Sequence, residues 1–324
     1  MKILVTGGAG FIGSNFVTRT LETRSQVDIT VLDSLTYAGS KSNLNPFSKD
    51  IKFVEGDIRD ADLVDKLIKD SDLVVHFAAE SHNDNSLRNP TLFYDTNVMG
   101  TLNIANSCLA HDVRLHHIST DEVFGDLPLD SKCMFNLESA YNPSSPYSAS
   151  KAAGDHLIRS WVRSFGLRAT ISNCSNNYGP RQHWEKLIPN TVKTLVQGGK
   201  AVVYGSGLNV RDWIHVDDHV DGIWLALDKG LIGSTYLFGA RDTHSNLKIV
   251  GVILEILGLN KDSLIYAEDR PGHDLRYAID PSLAESELAW LPLHGSILYG
   301  LRETVPWYLE KLGESQRVLR GCDS

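Results

Sequence analysis

Short apolar runs alternate with amphipathic segments through the first half of the chain, and this rhythm restricts the fold more than any other feature. KILVTGG reads as a buried strand, and FIGSNFVTRTLET behind it has helical spacing. Further strands are expected at QVDITVLD, IKFVEGD, SDLVVHFAAE, RLHHIST and RATISNCSNNYG. Helices are expected at ADLVDKLI, TLFYDTNVMGTLNIANSCLAH and YSASKAAGDHLIRSWVRSF. Strands that alternate with helices pair in parallel, because each crossover returns the chain to the same edge direction. The spacing therefore predicts an α/β chain with a doubly wound parallel sheet and helices on both faces.

After about Cys174 the rhythm loosens. The stretches NNYGPRQHWEKLIPN, GSGLNVRDW and EDRPGHDLRY read as loops and hold much of the Arg, His and Pro punctuation. This predicts a smaller C-terminal α/β portion covering the open end of the sheet. The expected division is residues 1–174, rejoined by about 210–238, against 175–209 and 239–324. The last residues, GESQRVLRGCDS, are expected to fray.

Bulk properties exclude several classes. With 42% hydrophobic and 22% charged residues over 324 positions, the chain can bury a large core. A net charge of −9 argues against a nucleic-acid surface while leaving room for a local basic pocket. Cys108, Cys133, Cys174 and Cys322 lie far apart and form no CxxC, so reduced thiols are expected. Met1 leads straight into a strand, leaving no room for a signal peptide, and no apolar run approaches the roughly 18 residues of a membrane span. A cytoplasmic protein without a membrane partner is the expectation.

The turn VTGGAGFIGS places Gly7, Gly10 and Gly13 between the first strand and the first helix. Glycines there allow a tight turn and close backbone approach to a pyrophosphate seated on the helix N-terminus. Asp33 ends the second strand 20 residues after Gly13. A carboxylate there accepts from both ribose hydroxyls and repels a 2′-phosphate, which favours NAD over NADP. Asp57, after the third strand, can meet the adenine edge; taken alone it serves equally well as the N-cap of the next helix.

In SSPYSASKAAGDHL, Tyr147 and Lys151 stand four apart, one turn along the same helix face. Pro146 suits the first helical position, and Ser144 or Ser145 can cap. A lysine beside a phenol favours the phenolate, which can take a proton from a sugar hydroxyl as hydride leaves the same carbon. Thr120, 27 residues upstream, begins the unusual run Thr120-Asp121-Glu122. A strand would point the two neighbouring acids to opposite faces, so both reach one site only if the chain turns there. Gly125 supports such a turn. Crowding two carboxyls raises one pKa and leaves one protonated and one ionised, an acid and a base. No metal is expected, since neither HxxxH nor a suitably spaced third ligand accompanies His116 and His117.

TGGAGFIG, STDEVFG and YSASK together resemble the extended short-chain dehydrogenase/reductase family, over nearly the whole chain. The resemblance implies a Rossmann-type domain, bound NAD and a nucleotide-sugar substrate. Epimerase-like members usually carry small neutral residues after the active-site Thr. The acid pair instead resembles the members that remove water across C5 and C6 of dTDP-glucose, as do DSLTYAGS, AAESH, VRDWIHVDDH and EDRPGHDLRYAID. It implies Glu122 as the C5 base and Asp121 as the acid at the C6 oxygen, with Thr120, Tyr147 and Lys151 completing the catalytic set. Phe11, Ile12, Ile58 and Ala78 match positions around the dinucleotide. Arg211 and Arg270, with His273 nearby, match a diphosphate site, for which guanidinium forks are well suited. Ser81, Asn177, Lys186, Leu187, Tyr204 and Asn246 match positions around the nucleotide and sugar.

Three departures stand out. SHNDNS places Asn83 and Asn85 where the family often has an apolar residue and an arginine. PRQHW carries His183 and Trp184 where an aromatic and a proline are typical. KAVVYG lacks the proline often found before Tyr204. Residues 91–111 and 147–165 are expected to form long amphipathic helices, which in relatives pair two copies through a four-helix bundle. The alternatives are another nucleotide-sugar enzyme of this fold, a 4-epimerase or decarboxylase, and a silent NAD-binding scaffold.

Overall fold

A computed structural model describes residues 1–269 and 273–314. Its strands are β1 (Lys2–Thr6), β2 (Asp28–Asp33), β3 (Ile51–Glu55), β4 (Leu73–His76), β5 (Arg114–Thr120), β6 (Ala169–Cys174), β7 (Asn176–Tyr178), β8 (Ala201–Tyr204), β9 (Val210–His215), β10 (Thr235–Phe238), β11 (Thr243–Ser245) and β12 (Leu264–Ala267). Seven of them form a parallel sheet in the order β10-β6-β5-β4-β1-β2-β3. This is the Rossmann-type order expected from the alternation. The central strands β4, β5 and β6 are almost wholly buried. Burial on both faces removes the in-out alternation and explains their continuous apolar runs.

Helices α1 (Phe11–Thr23), α2 (Ala61–Lys69), α3 (Asn83–Arg88), α4 (Pro90–Tyr94), α5 (Thr101–Ala110), α6 (Pro146–Phe165), α7 (Leu187–Val196), α8 (Val216–Asp228), α9 (Asn246–Ile256), α10 (Ser282–Leu288) and α11 (Ile297–Lys311) complete the fold. One face of the sheet packs Phe16 and Val17 of α1 with Val220, Ile223 and Trp224 of α8. The other face takes Val64 and Ile68 of α2, Ile104 and Cys108 of α5, and Ile158 of α6. A separate core joins Val192 of α7, Ile253 of α9 and Leu301, Val305 and Tyr308 of α11 to Val203 and Trp213. Strands β7, β9 and β11 form a three-stranded sheet, and β8 pairs in parallel with β12. Helix α8 and strand β10 belong with the main sheet, whereas β9 pairs within the small one.

Three local expectations change. RATISNCSNNYG is two strands rather than one: β6 stops where its neighbour β5 stops, at the pair Thr120–Cys174. The chain then joins the small sheet through β7, with Ser175 N–H donating to Phe238 O at 3.0 Å. The helix expected over 91–111 contains a wide π turn at Asp95–Gly100. In that turn Asn97 accepts from Glu80 N at 2.9 Å and donates to Glu80 O at 3.0 Å and Ser150 Oγ at 2.8 Å. Such turns re-aim side chains that a regular helix would direct elsewhere. The stretches expected as loops hold β7, the start of α7 and the start of β9. Arg270 and most of the expected tail lie outside the described residues. No described helix is long and apolar enough to cross a membrane.

Candidate active site

A cleft opens at the carboxyl ends of β1, β2, β4, β5 and β6, where strand order reverses between β1 and β4. In open α/β sheets this is where ligands bind. Gly7, Gly10, Phe11, Ile12, Gly13, Asp33, Asp57, Ile58 and Ala78 line one part of it. The backbone there is tightly folded. Gly7 has φ +71°, and a Cβ on it would lie 2.6 Å from Ala78 N. A Cβ on Gly13 would lie 2.3 Å from Gly7 O. No side chain caps the N-terminus of α1 at Gly10, leaving its positive end toward the cleft. Asp33 accepts from Ala9 N at 2.9 Å and Leu35 N at 2.8 Å. Each carboxylate oxygen keeps a lone pair for a further donor. This cradle fits a dinucleotide: glycine walls, a free helix end and a carboxylate one strand away. Gly13→Ala is expected to destabilise the fold by about 1–3 kcal/mol through overpacking, read as a lower unfolding midpoint. An unchanged midpoint would mean that the turn relaxes more easily than its geometry implies.

Asp57 is not the helix N-cap: Asp60 takes that place, accepting from Leu63 N at 3.1 Å. Asp57 instead pairs with Arg59 at 2.7 Å, and that hydrogen bond holds its carboxyl below the usual range.

At the end of β5 the chain leaves the strand in a single tight turn, Asp121–Phe124. Gly125 closes it at φ +81°, where a Cβ would meet Asn142 O at 2.4 Å. Thr120 caps this turn, its Oγ1 accepting from Glu122 N and donating to Asp121 Oδ1, both at 3.3 Å. The turn brings Asp121 and Glu122 to one cleft with Thr120, Tyr147 and Lys151. Helix α6 opens with Pro146 at its first position. Ser145 caps it in a reciprocal pair with Ser148, an arrangement that satisfies two end donors at once. Lys151 Nζ donates to Ile118 O at 2.7 Å, which anchors the ammonium at the top of β5.

Electrostatics separates the two acids. Burial, then Glu122 and Asp212, push Asp121 well above the usual carboxylate range. Burial also raises Glu122, but a hydrogen bond from Asn83 and the cations Lys186 and Arg211 oppose it. Asp121 is thus the better proton donor and Glu122 the better acceptor. Tyr147 differs from expectation. Burial, then Glu122 and Cys174, push its phenol well above 10, with only a hydrogen bond with Thr120 pulling it down. Burial in turn lowers Lys151. The site by itself favours phenol, because desolvation and the acidic neighbours Glu122, Cys174 and Asp121 all disfavour the charged form.

The expected substrate positions divide. Ser81 and Lys186 line the same cleft, and Lys186 Nζ donates to Ser81 O at 3.3 Å. Asn177 lines it too, yet its amide is engaged inside the protein. It donates to Cys174 Sγ and Ser175 O, and its Oδ1 meets His219 Nδ1 at 2.9 Å. Leu187 starts α7 and packs against the small core. Arg211 lies across the Tyr277 ring at 4.2 Å and donates to Val210 O and Asp274 O. Tyr204 ends β8 partly exposed, Asn246 opens α9, and His273 meets Asp269 Oδ1 at 2.6 Å. Leu187, Tyr204, Arg211, Asn246 and His273 do not line the cleft that holds the catalytic set. The sequence reading missed the Asn97 clamp on Glu80 and the bond from Asn83 to Glu122 Oε2, 2.9 Å.

Comparison with known proteins agrees with this geometry. A family model described as GDP-mannose 4,6 dehydratase matches residues 4–296. The dTDP-glucose 4,6-dehydratase of Mycolicibacterium smegmatis is 54% identical over 308 residues, covering 95% of this chain and 93% of the relative. That of Salmonella typhimurium is 42% identical, with 95% and 93% covered. A dTDP-glucose 4,6-dehydratase of Streptomyces venezuelae, solved with NAD and TYD bound, superposes with a TM-score of 0.93 at 43% identity, over 98% of this chain and 100% of that one. The UDP-glucose 4-epimerase of Thermotoga maritima superposes nearly as well, at 0.88, but with 28% identity over 96% and 100%. Fold alone does not separate the two chemistries; sequence identity does, at 54% and 43% to dehydratases against 28% to the epimerase. The chain belongs to the dTDP-glucose 4,6-dehydratases of the extended short-chain dehydrogenase/reductase family.

Proposed function

We propose that this chain converts dTDP-glucose to dTDP-4-keto-6-deoxyglucose and water, as a cytoplasmic NAD-dependent hydro-lyase. The observation that carries the reading is the Asp121–Glu122 pair, turned into the cleft beside Tyr147 and Lys151. NAD, when bound on the glycine cradle and Asp33, supplies a hydride acceptor at C4, a donor back to C6 and a positive charge that favours phenolate over phenol. Tyr147 takes the C4 hydroxyl proton, with Lys151 stabilising the phenolate and Thr120 holding the hydroxyl group in line. The resulting ketone acidifies C5. Glu122 removes that proton, and Asp121 protonates the departing C6 oxygen, which leaves as water. Glu122, whose acquired proton exchanges with solvent, then protonates C5, and the proton held by Tyr147 passes back through the cleft to Asp121, which restores both groups.

Lys186 and Ser81 are read as the sugar-facing pair. Arg211, Arg270, His273, Tyr204 and Asn246 are read as the nucleotide diphosphate side, all but Arg211 within a substrate portion of residues 175–209 and 239–324. Two copies are read as pairing through residues 91–111 and 147–165, where Tyr94, Met99 and Phe165 are exposed.

Incubation with dTDP-glucose is expected to yield a product lighter by about 18 mass units, one water, with no added reductant consumed. An isomer of unchanged mass would point to epimerisation and overturn the reading.

A further inference from the structure

Asn83 occupies a position where the resembling family often carries an apolar residue. Here both of its amide atoms are engaged. Its Nδ2 donates to Glu122 Oε2 at 2.9 Å, and its Oδ1 accepts from Ser145 Oγ at 3.0 Å. Ser145 is the N-cap of α6, and its Oγ accepts from Ser148 N at 3.1 Å, so its hydrogen can point at Asn83. A hydroxyl donor on one side and a carboxylate, an acceptor when ionised, on the other fix which way the amide faces. Asn83 is also held by its backbone. It opens α3, and its carbonyl accepts from Ser86 Oγ at 2.7 Å. One side chain therefore joins the cap of the helix bearing Tyr147 and Lys151 to the carboxylate of Glu122.

We infer that Asn83 is a positioning residue that keeps the Glu122 carboxylate ionised and in fixed register with the Tyr147–Lys151 helix. The inference rests on the reading of Glu122 as the C5 base. The groups facing Glu122 are Asp121 on its own turn, Tyr147 on α6, Lys186 ahead of α7, Arg211 on β9, and Asp274 and Tyr277 from the segment beyond β12. Beside these groups, Asn83 supplies a neutral amide donor directly to the carboxylate. A hydrogen bond to a carboxylate favours its charged form. Removing the donor raises the pKa of Glu122, and the base is then protonated at higher pH.

The test uses the NAD-loaded enzyme and two variants, Asn83→Val and Asn83→Leu, which share the missing donor but differ in shape. In both, the acid limb of the kcat profile is expected to move up by about one pH unit. Below that limb turnover falls about tenfold against the parent. KM and the alkaline plateau change little. Incorporation of solvent deuterium at C5, the step assigned to Glu122, shifts with the same limb. Retained NAD and thermal midpoint verify folding, and either folded variant suffices. An unmoved limb overturns the inference, as does a uniform loss at every pH with a lowered midpoint. If the parent enzyme releases no water from dTDP-glucose, the reading of Glu122 falls and the inference with it. Parent turnover with unmoved limbs defeats the inference alone.

Discussion

Tyr147→Phe is expected to lower turnover of dTDP-glucose by roughly 10³–10⁴-fold, the upper range for a lost acid–base group, and to stop the reaction before any intermediate forms. The phenol lies at the junction of α6 and the β5 turn, within hydrogen-bonding reach of Thr120. Every later step depends on the ketone that its proton transfer permits. Phenylalanine keeps the ring in its edge-on contact with Phe93, whose centroid lies 6.3 Å away. Thr120 keeps its contacts with Asp121 and Glu122, so the fold should be little affected. The check is a rapid-mixing trace on the NAD-loaded variant: no transient nicotinamide reduction should follow addition of substrate. A variant that still reduces its nicotinamide would remove Tyr147 from the first step. The raised phenol pKa adds a second expectation. Phenolate is the form that accepts the proton, so the C4 oxidation rate rises with pH until the complexed phenol has ionised. With the phenol pushed up by burial, Glu122 and Cys174, only added positive charge in the complex brings that limb toward neutrality.

What could be read from the chain follows the range of the interactions involved. The glycine turn, Asp33 at the end of β2 and the Tyr147–Lys151 spacing are local. Each is decided by residues within a turn or two, and each stands where the sequence places it. The acid pair was legible through a steric argument and through the resemblance of STDEVFG to the members that remove water. Adjacent carboxylates share a site if the chain turns, and Gly125 supplies the turn with its positive φ. Longer-range features were not legible. Asn83 reaches Glu122 across 39 residues, and from the sequence it stood out only as a departure. Asn177 matched a substrate position, but its amide closes on His219 42 residues away. The break between β6 and β7 depends on where β5 ends, a property of the neighbouring strand. The phenol pKa depends on burial and on Glu122, Cys174 and Asp121, which come from elements other than its own helix.

Glu122→Gln separates the second half of the chemistry from the first. Glutamine preserves size and can still accept from Asn83 Nδ2, so the bridge to Ser145 survives and the fold should be unchanged. It cannot take a proton. Oxidation at C4, which needs Tyr147, should therefore proceed, while water loss falls roughly 10²–10⁴-fold. The expected signature is reduced nicotinamide that builds up on the enzyme after mixing and persists, with no exchange of C5 hydrogen into solvent deuterium. In the parent enzyme the same step carries the acid limb. Burial raises Glu122 above the usual carboxylate range, while Asn83, Lys186 and Arg211 oppose the rise. Turnover is then full above its pKa and is lost as pH falls through it. The variant should show no such limb in its residual rate. If Glu122→Gln instead fails to reduce its nicotinamide, the residue belongs to the first step. If it releases water at near-parental rates, the C5 base is another group. Asp121 is the first to examine in that event, since it shares the turn and the cleft with Glu122. Asp121→Asn would distinguish that case: a base at position 121 would lose C5 exchange, whereas an acid there would keep exchange and lose only the departure of water.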